Sequence, residues 1–410
     1  MQATKPSHSI FNIAVVVAAL GYFVDIYDLL LFGIIRLPSL QSLGLTLDEA
    51  KISGENILMW QMGGLLIGGI IWGVMGDKKG RLSVLFGSII LYSLANIANG
   101  FVQNEMQYSI VRFIAGIGLA GELGAGITLV SELTPKEKRG LATSMVAGIG
   151  LTGAVVAFIM KENFDWRTCY FIGGGLGLLL LLLRISVAES GMYNHVKKLG
   201  VQKGNFFMLF TNADRFKRYL KSILIGLPTW FVIGVLVTFS NDFGIAMGIK
   251  EKIDPGKAIM YAYAAISIGD IAVGFVSQWL KSRKKALYIF YGITVIFMVL
   301  FFTALNNGTA SAMYWVCAGL GFGTGFWAIF VTIGAEQFGT NLRATAATTI
   351  PNMVRGMLTL FILPLFRYMR GITDYVTGGW ISAIIIMVIT IIAAILIKET
   401  FHKDLNYIEE

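Results

Sequence analysis

Charge is scarce in this chain. Only 14% of its 410 residues are Asp, Glu, Lys or Arg, against roughly 25% in a soluble domain, and this excludes an ordinary water-soluble globule. Cysteine is scarcer still. Cys169 and Cys317 both fall in apolar stretches, which excludes a disulfide framework and a thiolate zinc site of the usual spacing. The three histidines, His8, His195 and His402, lie in the tails and the central loop, so proton chemistry across a membrane falls to carboxylates. No His-rich, metal-ligand or nucleophile constellation appears in the apolar stretches, which argues against an enzyme. No metal and no cofactor is expected, apart from a coupling proton.

Apolar sequence is what the chain has. It is 56% hydrophobic with a mean hydropathy of +0.71, and apolar runs of 18 or more residues indicate membrane spans. Twelve such stretches occur, at 10–36, 57–76, 83–102, 107–130, 141–160, 169–187, 221–242, 257–280, 285–305, 311–334, 345–366 and 376–398. The first contains acids and is too long for a cleaved signal. The expected fold class is therefore an all-α integral membrane protein. Most of the 33 Lys and Arg residues lie in segments on the N-terminal side of the membrane. That bias predicts cytoplasmic termini, in a bacterial inner membrane. The basic run Lys197, Lys198, Lys203, Arg215, Lys217, Arg218 and Lys221 suits anionic lipid headgroups rather than nucleic acid.

The chain reads as one unit written twice. A six-span bundle (1–187), a linker loop (188–220) and a second six-span bundle with a short tail (221–410) are expected. SELTPKEKRG (131–140) follows the fourth span and AEQFGTNLRA (335–344) the tenth, aligning Glu132 with Glu336 and Arg139 with Arg343. At the same offset GVMGDKKGRL (73–82) falls on SQWLKSRKKA (277–286), and the halves end alike in Glu189-Ser190 and Glu399-Thr400. Duplicated halves with a midplane site between them are a transporter architecture.

GVMGDKKGRL resembles the loop signature Gly-x-x-x-Asp-x-x-Gly-Arg of the major facilitator superfamily, matched by Gly73, Asp77, Gly80 and Arg81. RFIAGIGLAGELG (112–124) is similar to that family's fourth-span motif. SELTPKEKRG resembles a segment of its metabolite:proton symporter, organic-ion and sugar-porter branches. The resemblance implies two pseudo-symmetric six-helix bundles and alternating access. It also implies gating roles for Asp77, Arg81, Glu132, Arg139, Glu336 and Arg343; helix capping and lipid contact are the alternative. SQWLKSRKKA lacks the Asp and Gly-Arg core, so the second-half gate is expected to be held more loosely. The fifth span lacks the proline motif of drug exporters, which favours uptake. GIGLAG (116–121) spells a dinucleotide-binding pattern, but no strand precedes it; its glycines suit close helix packing.

Ionisable residues within spans are functional candidates, since each costs about 2.5–3.5 kcal/mol on insertion scales. In GYFVDIYDLLLFG (21–33), Tyr22, Asp25 and Asp28 share roughly one helix face. Asp25 falls near midplane at the depth of Arg355. Asp25, Asp28 and Glu122 are candidate proton carriers, with Asp25 favoured by depth. Arg355, Tyr22, Arg112, Gln61, Asn352 and Trp327 are candidate substrate contacts. Against this, Asp25 and Asp28 could be a fixed pair with Arg112, and Trp230, Phe231, Phe326 and Trp327 could simply pack or face lipid. Asp270 is expected to make a contact between the halves. The expected function is proton-coupled import of a small organic anion such as a carboxylate, by a monomer. Alternatives are a uniporter or exchanger of a neutral or cationic metabolite, or a non-transporting sensor.

Overall fold

The computed structural model describes residues 13–135, 138–184 and 204–409. Lys5, His8, Glu189-Ser190, His195, Lys197, Lys198 and Lys203 lie outside them. Among the described residues twelve helices are long and apolar enough to cross a membrane. The first six are α1 (Val15–Ser42), α2 (Ile52–Lys79), α3 (Arg81–Asn99), α4 (Glu105–Leu133), α5 (Arg139–Asn163) and α6 (Trp166–Leu183). The second six are α7 (Ala213–Val237), α8 (Pro255–Leu280), α9 (Arg283–Thr303), α10 (Ala310–Glu336), α11 (Arg343–Ile372) and α12 (Tyr375–Leu396). Their starts follow local chemistry. Asn104, Asp254, Ser282, Thr309 and Asp374 each cap the helix that follows, the side-chain oxygen accepting from a backbone N–H within three residues.

The seventh span starts at Ala213, earlier than the apolar run at 221–242. Its first turns carry Asp214, Arg215, Lys217, Arg218 and Lys221, so they are amphipathic and invisible to an apolar-window reading. The two halves meet chiefly along α2 against α11 and α5 against α8. Small residues permit these close crossings: a Cβ at Gly73 would press on the backbone of Thr345, and one at Gly148 would run into Ile271 and the Ser267 carbonyl. Large apolar side chains such as Trp279, Trp315 and Ile395 are exposed on the outside, as a lipid-facing surface requires.

Among the described residues five spans are interrupted. α4 breaks at Ala120–Gly121, α5 at Thr152, α7 at Ile225–Gly226 and α10 at Thr324–Phe326, while α7 and α11 carry π-helical stretches, Val232–Val237 and Leu358–Ile362. Breaks free backbone groups that must find side-chain partners. They gather round the middle of the molecule.

Candidate functional site

A chamber of about 20 Å³ lies between the halves, room for roughly one water. Its wall includes Tyr22, Leu29, Thr229, Trp230, Tyr263, Trp327 and Arg355. A second cavity of about 180 Å³ shares Leu29 and Trp230 with it and extends between the halves to Arg36 on α1 and Arg367 on α11. The wider space therefore reaches the chamber from the end away from the 2–3 and 10–11 loops.

Arg355 is 2% exposed. Its Nη1 donates to Asn352 Oδ1 at 3.3 Å, and its guanidinium carbon lies 6.0 Å from the Trp230 ring centroid and 5.9 Å from that of Trp327. Its Nε finds no acceptor, and no carboxylate lies within ion-pair distance of it among the described residues. Asn352 aims it: its Nδ2 donates to Thr348 O (2.8 Å) and to Ala120 O (2.9 Å), the latter at the α4 break. Asn352 is thus a positioning residue tied to the opposite half, and it does not line the chamber.

Tyr22 reaches the chamber from α1. Its hydroxyl has no hydrogen-bond partner among the described residues and lies within electrostatic reach of Arg355, Asp25, Tyr263 and Asp270. Asp25, one turn on, is fully buried and within electrostatic reach of the Tyr22 hydroxyl. Glu122 is also buried and opens the second segment of α4, Glu122–Leu133. One turn further Gly126 faces Ala18 of α1, so Glu122 is on the α1 side near the level of Tyr22.

Two expected substrate contacts lie elsewhere. Arg112 donates to the Asp28 carboxylate (3.0 Å) and carbonyl (3.2 Å), to Gln61 (3.4 Å) and to Asn96 (3.4 Å), with the Tyr170 ring 5.5 Å away. Gln61 in turn donates to Leu29 O at 3.2 Å. Arg112, Gln61 and Asp28 therefore form a fixed network within the first half, off the chamber wall. A buried charge needs many partners, and here the first half supplies them. Asp270 also corrects an expectation. Rather than bridging the halves, its Oδ1 accepts the Ala328 N–H at 2.9 Å, capping the second segment of α10 within its own half. The α10 break creates the orphan donor it serves. Of the aromatics, Trp230 and Trp327 reach the chamber, whereas Phe326 packs on Tyr291 with ring centroids 5.0 Å apart.

The opposite end is closed by ion pairs. Glu132 accepts from Arg81 of its own half (2.9 Å) and from Arg343 of the other (3.0 Å). Glu336 repeats this with Arg283 (2.6 and 2.8 Å) and Arg139 (3.4 Å). Asp77 accepts from the N–H groups of Ala344 and Thr345 and from the Thr345 hydroxyl, capping α11 across the halves. The structure thus brings all six candidate gate residues together. The looser second-half gate is not what it contains. Arg283, two residues before the position the repeat offset selects, holds Glu336 bidentately. Arg283 was missed because a two-residue slip separates it from the aligned position.

A second missed element is the tail after α12. Thr340 of the 10–11 loop donates its N–H to Tyr407 O (2.8 Å) and its hydroxyl to Leu405 O (3.0 Å), while Arg218 holds Glu409 at 2.8 and 3.0 Å. Burial works against the Glu409 carboxylate, but Arg218 outweighs it and keeps the carboxyl below its ordinary range. Burial, with Arg218 nearby, pushes the Lys403 ammonium down to about 8. Glu399 accepts from Ser282 and from the N–H groups of Arg283 and Lys284, fixing the start of α9.

Two six-helix halves, a midplane chamber reached from one end and a salt-bridged closure at the other define a membrane carrier. The chain matches the Major Facilitator Superfamily family model over residues 13–356 and belongs to that superfamily. It is a multi-pass membrane transporter, not an enzyme. It is 27% identical over 368 residues to the niacin transporter NiaP of Acinetobacter baylyi, covering 81% of each chain. To the 4-hydroxybenzoate transporter PcaK of the same organism it is 24% identical, covering 90% of this chain and 84% of PcaK. The fold resembles the proton:xylose symporter XylE, with a TM-score of 0.75 at 16% identity over 98% of both chains. It also resembles FucP in its outward conformation, with a TM-score of 0.74 at 14% identity, covering 95% of this chain and 99% of FucP.

Proposed function

We propose that the protein imports a small aromatic carboxylate together with a proton, by alternating access, as a monomer in a bacterial inner membrane with both termini cytoplasmic. The observation that carries this reading is Arg355, a buried cation with no carboxylate partner among the described residues, set beside two indole rings that pack on each other. A guanidinium fork takes a carboxylate bidentately, and indole faces accept a flat ring. The named substrates of NiaP and PcaK are of this chemical kind.

Coupling follows from the surroundings of Tyr22. A substrate carboxylate on Arg355 brings a second negative charge towards Asp25. Protonation of Asp25 relieves that repulsion, so anion and proton bind together. Glu122 is an additional candidate carrier, and Asp28 stays with Arg112. With both termini cytoplasmic, the conformation is outward-facing, and the ion pairs of Glu132 and Glu336 seal the cytoplasmic side on this reading. Inter-half pairs that part when the site opens inward bias the equilibrium by their differential energy alone. The test is uptake of labelled anions, cations and sugars by proteoliposomes, with and without an imposed pH gradient. Aromatic carboxylates should accumulate only with the gradient; accumulation of cations or sugars instead would refute the substrate class.

A further inference from the structure

Besides the Tyr22 hydroxyl, two donors on the chamber wall remain unused after Arg355 takes a carboxylate. They are the Thr229 hydroxyl and the Trp230 indole N–H, both on α7. Each side chain is 6% exposed, and Thr229 Oγ1 and Trp230 Nε1 are buried with no hydrogen-bond partner among the described residues. Such orphans are rare in folded proteins because each forfeits a hydrogen bond without regaining water.

The local fold explains why these two are left over. α7 breaks at Ile225–Gly226 and restarts as Leu227–Phe231, with Pro228 in the first turn. A threonine in a span normally bonds back to the carbonyl four residues earlier, as Thr294, Thr324, Thr332 and Thr349 do here. For Thr229 that carbonyl belongs to Ile225, at the break, and it accepts instead from the Tyr291 hydroxyl at 2.7 Å. Trp230 differs likewise from Trp72 and Trp166, whose indole N–H groups donate to Ile117 O and Ser42 Oγ. The break thus delivers two adjacent donors to the chamber with no protein acceptor.

Resting on the aromatic-carboxylate reading above, we infer that Thr229 and Trp230 form a second polar subsite and set specificity. They select an aromatic carboxylate that carries a further acceptor, a ring hydroxyl oxygen or a ring nitrogen, over plain benzoate. A site built to hydrogen-bond a substrate group discriminates strongly against the analogue lacking it, because its buried donors are then stranded.

The test is competition binding of benzoate, 4-hydroxybenzoate and nicotinate to the purified protein, compared with Thr229→Val, Thr229→Ser and Trp230→Phe. The wild type should prefer one of the two substituted acids over benzoate by about tenfold or more. Thr229→Val and Trp230→Phe should each narrow that ratio several-fold, and Thr229→Ser should restore it. An equal preference in the wild type, or a ratio untouched by both variants while Arg355→Lys still weakens all three acids, overturns the subsite and leaves the substrate class standing. If no probe binds the wild type, both readings fall.

Discussion

Arg343 of the second half donates to Glu132 of the first at 3.0 Å, and both side chains are fully shielded from solvent. Arg81 holds the same carboxylate oxygen at 2.9 Å. Removing that one charge takes an ion-pair partner from both guanidinium groups, although Arg81 keeps Asp77 at 3.5 Å and Arg343 keeps the Leu405 carbonyl. Loss of one partner of a buried pair costs about 3–5 kcal/mol, and here the cost falls on one conformation. Glu132→Gln should therefore shift the carrier towards opening at this end. Spin-label distances between the tips of α2 and α11 at that end should lengthen and broaden; an unchanged distribution would show that the pair does not hold the closure.

Arg283 should matter as much as Arg81. It reaches Glu336 with Nε and Nη2, at 2.6 and 2.8 Å, a fork that Lys cannot reproduce. Arg283→Lys should slow uptake about as severely as Arg81→Lys. Lys285→Ala, at the exposed position the repeat offset selects, should leave uptake within about twofold. Initial-rate uptake at matched expression decides between them.

The tail should dock more firmly in alkali. Docked, Lys403 titrates at about 8 rather than at its ordinary 10.5. Between these values the undocked tail holds more protons, so docking strengthens as pH rises from about 8 to 10.5 and is flat just below 8. Glu409, lowered when docked, contributes attachment that disappears as pH falls through its lowered docked value. Hydrogen exchange at residues 400–409 should slow on going from pH 7.5 to 9.5, after correction for intrinsic rates. Lys403→Met should abolish that change.

The spans and the duplication were legible because apolar length and repeated motifs survive without tertiary context. The gate glutamates and Arg139 and Arg343 were legible for the same reason. What one strand of sequence hides is where helices break. The α4 break gives Asn352 a carbonyl to hold, the α10 break recruits Asp270 as a cap, and the α7 break leaves Thr229 unpartnered. Arg112 and Gln61 stood out as polar residues inside spans, but a position along a helix carries no azimuth. The fold ties Arg112 to Asp28 and Gln61 to Arg112 and the Leu29 carbonyl, within the first half. The start of α7 and the tail were hidden by their own polarity.

The central claim is that an anion on Arg355 brings a proton to Asp25. The most direct measurement follows proton uptake with an indicator dye as an aromatic carboxylate such as 4-hydroxybenzoate or nicotinate is added to the purified protein in weak buffer. The wild type should take up close to one proton per anion bound, and Asp25→Asn should bind the anion while taking up none. Binding with no proton uptake in the wild type, or unchanged uptake in Asp25→Asn, would contradict the account.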